Sequence, residues 1–172
     1  MQLPIIKYGS SILRQLSLEV KPEDNYRDLI DDLFYSLNPK EGIGLAAPQI
    51  GVLKRVFVVV VPFKDDEQKD SQLFKKAFIN PTILWKRSER VIYNEGCLSI
   101  PDIFENVLRP EKITVTYFDK NFSFIVEDLN GIIARVFQHE YDHLNGVLFI
   151  DQINPLKRRL LSNKLNRIKK NK

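Results

Sequence analysis

The sequence predicts an α+β fold, and three observations carry that expectation. The middle of the chain holds several short β-branched runs. One strongly patterned helical segment follows them over 131–145. The strand-like runs come in succession and do not alternate with helices, so the pattern is not that of βαβ units. With 172 residues, 44% hydrophobic and 28% charged, the chain is large enough for one domain with a real core.

Each element has a local reason. A short helix is expected near Ser10 or Ser11, where a hydroxyl can cap the following SILRQLS segment. Asn25 is the candidate N-cap of a second helix. Leu29, Ile30, Leu33, Phe34 and Leu37 recur in it at helical spacing, and Asn38-Pro39 ends it. Residues 42–51, GIGLAAPQIG, are too rich in Gly and Pro for a regular element. Arg55 to Val61 is a continuous β-branched run, as expected of a strand buried on both faces. Lys64 to Lys76 is charged and reads as a surface loop. Ala77 to Trp85 reads as a strand interrupted at Asn80-Pro81. Arg90 to Asn94, Lys112 to Phe118 and Phe122 to Glu127 are further strands, the last two joined by an Asp119-Lys120-Asn121 turn. A final helix starts at Pro155, after an Asn154 cap.

Composition bounds the function classes. No apolar run is long enough to span a bilayer, and the first residues resemble neither a signal nor a transit peptide, so a cytoplasmic protein is expected. Cys97 is the one cysteine, so no intramolecular disulfide staples the fold. The charge is uneven. Residues 155–172 carry eight Lys/Arg and no acid, leaving 18 Lys/Arg against 22 Asp/Glu in the first 154 residues. The basic character therefore belongs to the tail. Residues 1–154 read as a catalytic domain and 155–172 as a basic C-terminal helix.

The chemistry is concentrated in Gln138-His139-Glu140-Tyr141-Asp142-His143, which contains H-E-x-x-H and both histidines of the chain. Residues four apart share a helix face, so both imidazoles can reach one ion. Glu140 can meet a water beside that ion without ligating it. The plainer reading is a hydrogen-bonded histidine pair in a core. Against it, the apolar flanks (Ile132, Ile133, Val136, Phe137, Leu144, Leu148) bury this helix, and buried polar groups need partners. A catalytic site needs a third protein ligand. Phe149 stands where a downstream third histidine would fall, no Glu follows Glu140, and Asp151 is the only acid left, so the ligand is sought upstream. Cys97, in Glu95-Gly96-Cys97-Leu98-Ser99, is the strongest soft donor. A lone cysteine is otherwise a small buried hydrophobe. Gly96 lets the backbone approach the ion, and the Leu98 N–H would point near the same place, as an oxyanion donor should. Within 42–49, small residues allow a substrate backbone to lie flat, and Gln49 is the one polar side chain able to donate. The plainer alternative there is a tight loop packed on the core.

Gly42-Ile43-Gly44-Leu45-Ala46-Ala47-Pro48-Gln49, Glu95-Gly96-Cys97-Leu98-Ser99 and Gln138 to His143, in this order, resemble the three signature motifs of peptide deformylase. The resemblance extends to residues 4–14, Arg109-Pro110 and 146–149, but not to 64–72 or the tail. It implies antiparallel β-sheets packed around a central H-E-x-x-H helix. It implies removal of the N-formyl group from the initiator formyl-methionine of nascent chains, releasing formate. Cys97, His139 and His143 would bind one divalent metal ion, Fe²⁺ by preference, with Ni²⁺, Co²⁺ or Zn²⁺ as substitutes. Glu140 would be the acid/base, and Gln49 with the Leu98 N–H would stabilise the oxyanion. Gly44 and neighbouring backbone would pair with the peptide. Ile43, Tyr93, Glu95, Ile132 and Val136 would line the methionine pocket beside Gly96. Ser10-Ser11 and Phe104 depart from residues common in the family, Asp-Pro and an arginine respectively. The expected partners are N-formyl-methionyl nascent peptides and, through the basic tail, the ribosome. No membrane and no specific DNA partner is expected. A general metallopeptidase or amidase and a non-enzymatic metal-stabilised binding module are the alternatives.

Overall fold

A computed structural model describes residues 2–38, 42–64, 71–86 and 89–170. Five strands form one antiparallel sheet in the order β1 (Gly44–Ala46), β2 (Val56–Lys64), β3 (Ser71–Lys86), β6 (Lys112–Phe118) and β7 (Phe124–Asn130). A separate two-stranded ribbon pairs β4 (Arg90–Cys97) with β5 (Ile100–Pro110). Helix α1 (Tyr26–Ser36) covers one face of the sheet and α2 (Gly131–Leu144) the other. The α+β expectation, with antiparallel sheets around the H-E-x-x-H helix, is the fold observed.

The β-branched run in β2 explains the layering. Phe57, Val59 and Val61 pack on the α2 side with Phe78, Val115 and Phe137. Val56 and Val58 pack on the α1 side with Ile30 and Leu33. One strand is thus buried on both faces, as its unbroken apolar composition requires. The Phe137 ring of α2 meets Phe57 and Phe78 edge-on, each with centroids 5.0 Å away. A third cluster lies under the ribbon and joins Ile100, Ile103 and Val107 to Leu148, Phe149 and Ile150.

Several boundaries differ from the sequence reading, each for a physical reason. The segment 42–51 is not wholly irregular. Gly44–Ala46 adds an edge strand to β2, and Ala47–Ile50 forms a 3₁₀ turn. The expected 64–76 loop is corrected at both ends: Lys64 closes β2 and Ser71–Lys76 opens β3, while 65–70 lie outside the described residues. Charge there marks long lysine stems lying on rings, Lys75 over Phe34 and Lys76 over Phe74, and not a loop. Asn80-Pro81 does not break β3. Asn80 takes φ 49° at a register shift, and its amide accepts from the Val20 N–H and donates to the Val20 carbonyl, both at 2.8 Å. β7 begins at Phe124, because Phe122 sits at φ 63° in the turn.

Strand β5 carried no expectation. Its buried Ile100 and Ile103 are three apart because Asp102, at φ 60°, interrupts the alternation. The first helix is a 3₁₀ turn, Ser11–Arg14, whose Ser10 hydroxyl makes no cap. Asn25 holds the N-cap position of α1 without a side-chain cap and instead donates to Asp28. Helix α1 ends at Ser36, and Pro39 lies outside the described residues. Asn154 does cap, accepting from the Leu156 N–H, but the tail forms two helices, α3 (Pro155–Leu160) and α4 (Ser162–Lys170). Leu165 of α4 is buried in the cluster under the ribbon. Among the described residues, no helix is long and apolar enough to cross a membrane.

If α2 is held through its edge-on ring, Phe137→Ala should cost about 3–5 kcal/mol, the range for deleting a buried aromatic. Urea unfolding of the purified variant measures this, and a loss under 1 kcal/mol would place the core elsewhere.

Candidate active site

The site lies where α2, the β1 edge and the end of β4 converge. Helical spacing puts His139 and His143 on one face of α2, with ring centroids 5.1 Å apart. Cys97 ends β4, and its Sγ lies 3.3 Å from His143 Nε2. The donor atoms of Cys97, His139 and His143 all fall within 4.8 Å of one another. Tetrahedral bonds of about 2.0–2.3 Å would set such atoms roughly 3.5 Å apart, so the three can hold one ion with little movement.

Glu95 prepares this face. Its carboxylate is buried and accepts from His139 Nδ1 at 3.1 Å, which leaves His139 Nε2 for the ion. Arg109 grips the same carboxylate with two N–H groups, at 2.8 and 3.0 Å, and Arg135 adds a third at 2.8 Å. Arg109 also donates to Asp142 on α2 at 2.6 Å. Burial alone would raise the Glu95 carboxyl, but the bonds from His139 and Arg109 outweigh it and hold it well below the usual carboxylate range. For His139, burial opposes the charge, yet Cys97 and Glu95 hold it well above an ordinary imidazole. A cation between Cys97 and His139 would take the place of that proton. Burial, and then the positive His139, push His143 well below an ordinary imidazole, which suits a neutral ligand.

Glu140 is buried, and its Oε2 has no hydrogen-bond partner. Burial is the main cause raising its carboxyl to about 7. Such a group, beside three soft donors, fits a site that expects an ion and a water between them. Gly44 stands directly against it. A Cβ on Gly44 would lie 2.6 Å from Glu140 Oε1 and 2.7 Å from Val136 Cγ1, so only glycine leaves room for the carboxylate. Gln49 is oriented at both ends of its amide. Its Oε1 accepts from the Ala46 N–H at 2.8 Å, and its Nε2 faces Ser99 Oγ at 3.3 Å and Cys97 Sγ at 3.6 Å. A Cβ on Gly96 would lie 2.4 Å from the Phe104 ring.

A cavity of about 670 Å³ opens over these groups. It is lined by Gln49, Cys97, Leu98, His139 and Glu140, and by Ile43, Gly44, Tyr93, Glu95, Gly96, Ile132 and Val136. The structure therefore brings together the residues singled out in the sequence, with His143 buried behind Cys97 outside the lining. Sequence reasoning missed Arg109 and Arg135 as holders of Glu95, and Ser99 as a partner of Gln49. Their one signal was their type, since arginine and serine in otherwise apolar surroundings need polar partners.

An H-E-x-x-H helix facing a cysteine donor at the floor of a cavity defines a metal-dependent hydrolase. The polypeptide deformylase family model matches residues 2–159. The peptide deformylase of Flavobacterium johnsoniae is 43% identical, covering 100% of this chain and 92% of its own length. That of Christiangramia forsetii is 41% identical, again covering 100% of this chain and 92% of its own. The crystal structure of the Ehrlichia chaffeensis peptide deformylase aligns with TM-score 0.86 at 35% identity, covering 97% of this chain and 96% of that one. The complex of the same protein with actinonin aligns with TM-score 0.85 at 36% identity, covering 99% and 98%. This chain belongs to the polypeptide deformylase family, and it is a metal-dependent hydrolase.

The raised Glu140 carboxyl has a stability consequence. Below pH 4.5 it is protonated whether the chain is folded or not. Between 4.5 and about 7 the unfolded chain ionises first, so stability falls as pH rises, and above 7 the cost is complete, about 3 kcal/mol. In metal-free protein, Glu140→Gln should therefore gain on wild type as pH rises from 4.5 to 8. Urea unfolding at both pH values measures the gap, and a gap independent of pH would mean the carboxyl is not raised.

Proposed function

We propose that this chain hydrolyses the N-formyl group of N-formyl-methionyl nascent peptides and releases formate. The observation that carries the reading is Glu140, a buried carboxyl raised to about 7 with a free oxygen beside the Cys97, His139 and His143 donors. Those three residues are the metal ligands in this reading. The ion, when bound, lowers the pKa of a water toward neutrality and polarises the formyl oxygen. Fe²⁺ is the resident ion we propose, with Ni²⁺, Co²⁺ or Zn²⁺ as substitutes, in keeping with thiolate and imidazole donors.

The chain's own groups then divide the work. Glu140 takes the proton of the attacking water and later gives it to the leaving amine, and its buried, unpartnered Oε2 stands free for both transfers. Gln49 Nε2 and the Leu98 N–H donate to the developing oxyanion. The peptide lies along β1, the edge strand of the five-stranded sheet, beside Gly44 and Gly96 on the cavity wall. Ile43, Tyr93, Ile132 and Val136 take the methionine side chain. Glu95 lines the same pocket while its carboxylate steadies His139. Nascent chains place the protein in the cytoplasm.

The tail has its own proposed role, as a segment distinct from the catalytic residues 1–154. Its cations line exposed faces of α3 and α4 and would bind the RNA phosphate of the ribosome, with the acidic remainder turned away.

Two experiments test this reading. With formyl-Met-peptide, Glu140→Gln should retain the metal and lose turnover by about 10²–10⁴-fold. More than a tenth of wild-type activity would remove Glu140 as the base. For the tail, replacing Lys164, Arg167, Lys169 and Lys170 with Gln spares the buried Leu165. It should leave formyl-peptide turnover within twofold and weaken salt-sensitive ribosome binding. Unchanged binding at low salt would reduce the tail to a solvated helix.

A further inference from the structure

The leader, residues 4–8, belongs to no helix or strand, yet it meets the site at three points. The Ile6 N–H donates to the Gln49 carbonyl at 2.8 Å. The Tyr8 N–H donates to the Ser99 carbonyl at 2.8 Å. Between them, Lys7 reaches the cavity wall, and its Nζ donates to the Leu98 carbonyl at 2.8 Å. Gln49 and Leu98 stand on different parts of the fold. Gln49 follows the edge strand of the five-stranded sheet, and Leu98 sits at the turn of the β4–β5 ribbon. Gln49 Nε2 closes the circuit by donating to Ser99 Oγ at 3.3 Å. A closed ring of hydrogen bonds thus runs from the leader through Gln49 and Ser99 back to the leader.

We propose that Lys7 is a positioning residue for the oxyanion-stabilising amide of Leu98, and that the leader through Ile6 and Tyr8 sets its spacing from the Gln49 side chain. The inference rests on the deformylase reading above. The Leu98 amide is a useful donor only if its plane is fixed before the oxyanion forms. On its near side that plane is anchored by Cys97. On its far side that plane can turn about Leu98 φ, and such a turn carries the N–H off target unless the Leu98 Cα and carbonyl are held in place. The Lys7 ammonium holds the carbonyl beyond that bond with a charge-assisted hydrogen bond. Arginine at this position could reach the same carbonyl, whereas methionine keeps the stem and loses the donor.

The distinguishing measurement is steady-state formate release from a formyl-Met-peptide by the metal-loaded full chain, for wild type, Lys7→Met and Lys7→Arg, with Glu140→Gln alongside. A lost oxyanion donor costs about 10²–10³-fold in kcat, and a loosened one should cost less, about tenfold. Lys7→Met should lower kcat about tenfold with KM within twofold, with wild-type metal content and thermal stability. Lys7→Arg should recover most of the loss. A kcat within twofold of wild type in Lys7→Met would overturn the proposal. So would a rise in KM alone, which would make Lys7 a substrate contact, or a loss of kcat that follows thermal stability and that arginine does not recover. If wild type itself releases no formate, the deformylase reading fails; if wild type turns over and Lys7→Met matches it, only the role of Lys7 fails.

Discussion

Glu95 is the point at which the ribbon, the helix and the candidate metal ligands are tied together. It stands on β4, and its carboxylate takes hydrogen bonds from Arg109 on β5 and from Arg135 and His139 on α2. Four N–H groups from three side chains, in fixed directions, leave the carboxylate no second orientation. The imidazole that depends on it keeps Nδ1 on the carboxylate and leaves Nε2 free for an ion. Burying this many charges is costly, and a hydrophobic replacement of similar volume can be as stable. The network therefore makes more sense as a device for orientation than as a source of stability. Arg109 extends it to Asp142, one residue before His143, so both histidines sit on a helix segment gripped from the same side.

The second constraint is steric. In the proposed reading Glu140 must be deep enough for burial to raise its carboxyl, and near enough to an ion to share a water. Gly44 provides the depth, because any larger residue would meet Glu140 Oε1 and Val136. The edge strand that carries Gly44 is the one a peptide would pair with in the proposed reading, so one glycine would then serve both the base and the substrate. Shape and protonation are therefore coupled: a bulkier residue at 44 would displace the carboxyl from the surroundings that tune it.

The convergence of the candidate site residues was legible in the sequence to the extent that it is local. The spacing of His139 and His143 is a property of any helix, and Glu140 follows from it. Cys97 followed by elimination, because the chain offers no later histidine or glutamate. The layering around β2 was legible too, since a run such as Val56 to Val61 has no polar side to show to water. What could not be read depends on contacts far apart in the chain. Arg135 and Glu95 are 40 residues apart, and Lys7 and Leu98 are 91 apart, with no periodicity to betray either pair. Local signals misled where a special conformation or a long stem intervened. The φ 60° of Asp102 hid strand β5, and lysines 75 and 76, lying over rings, imitated a loop. The two-helix tail was hidden by a continuous run of helix formers that turns at Leu161.

The proposed chemistry requires that Cys97, His139 and His143 meet on one ion with a position left open. X-ray absorption at the metal edge of the loaded protein reads that arrangement directly. The account predicts one sulfur at about 2.3 Å, two imidazole nitrogens at about 2.0–2.1 Å and one light oxygen donor. A metal shell without sulfur, or one closed by four protein ligands, would contradict it.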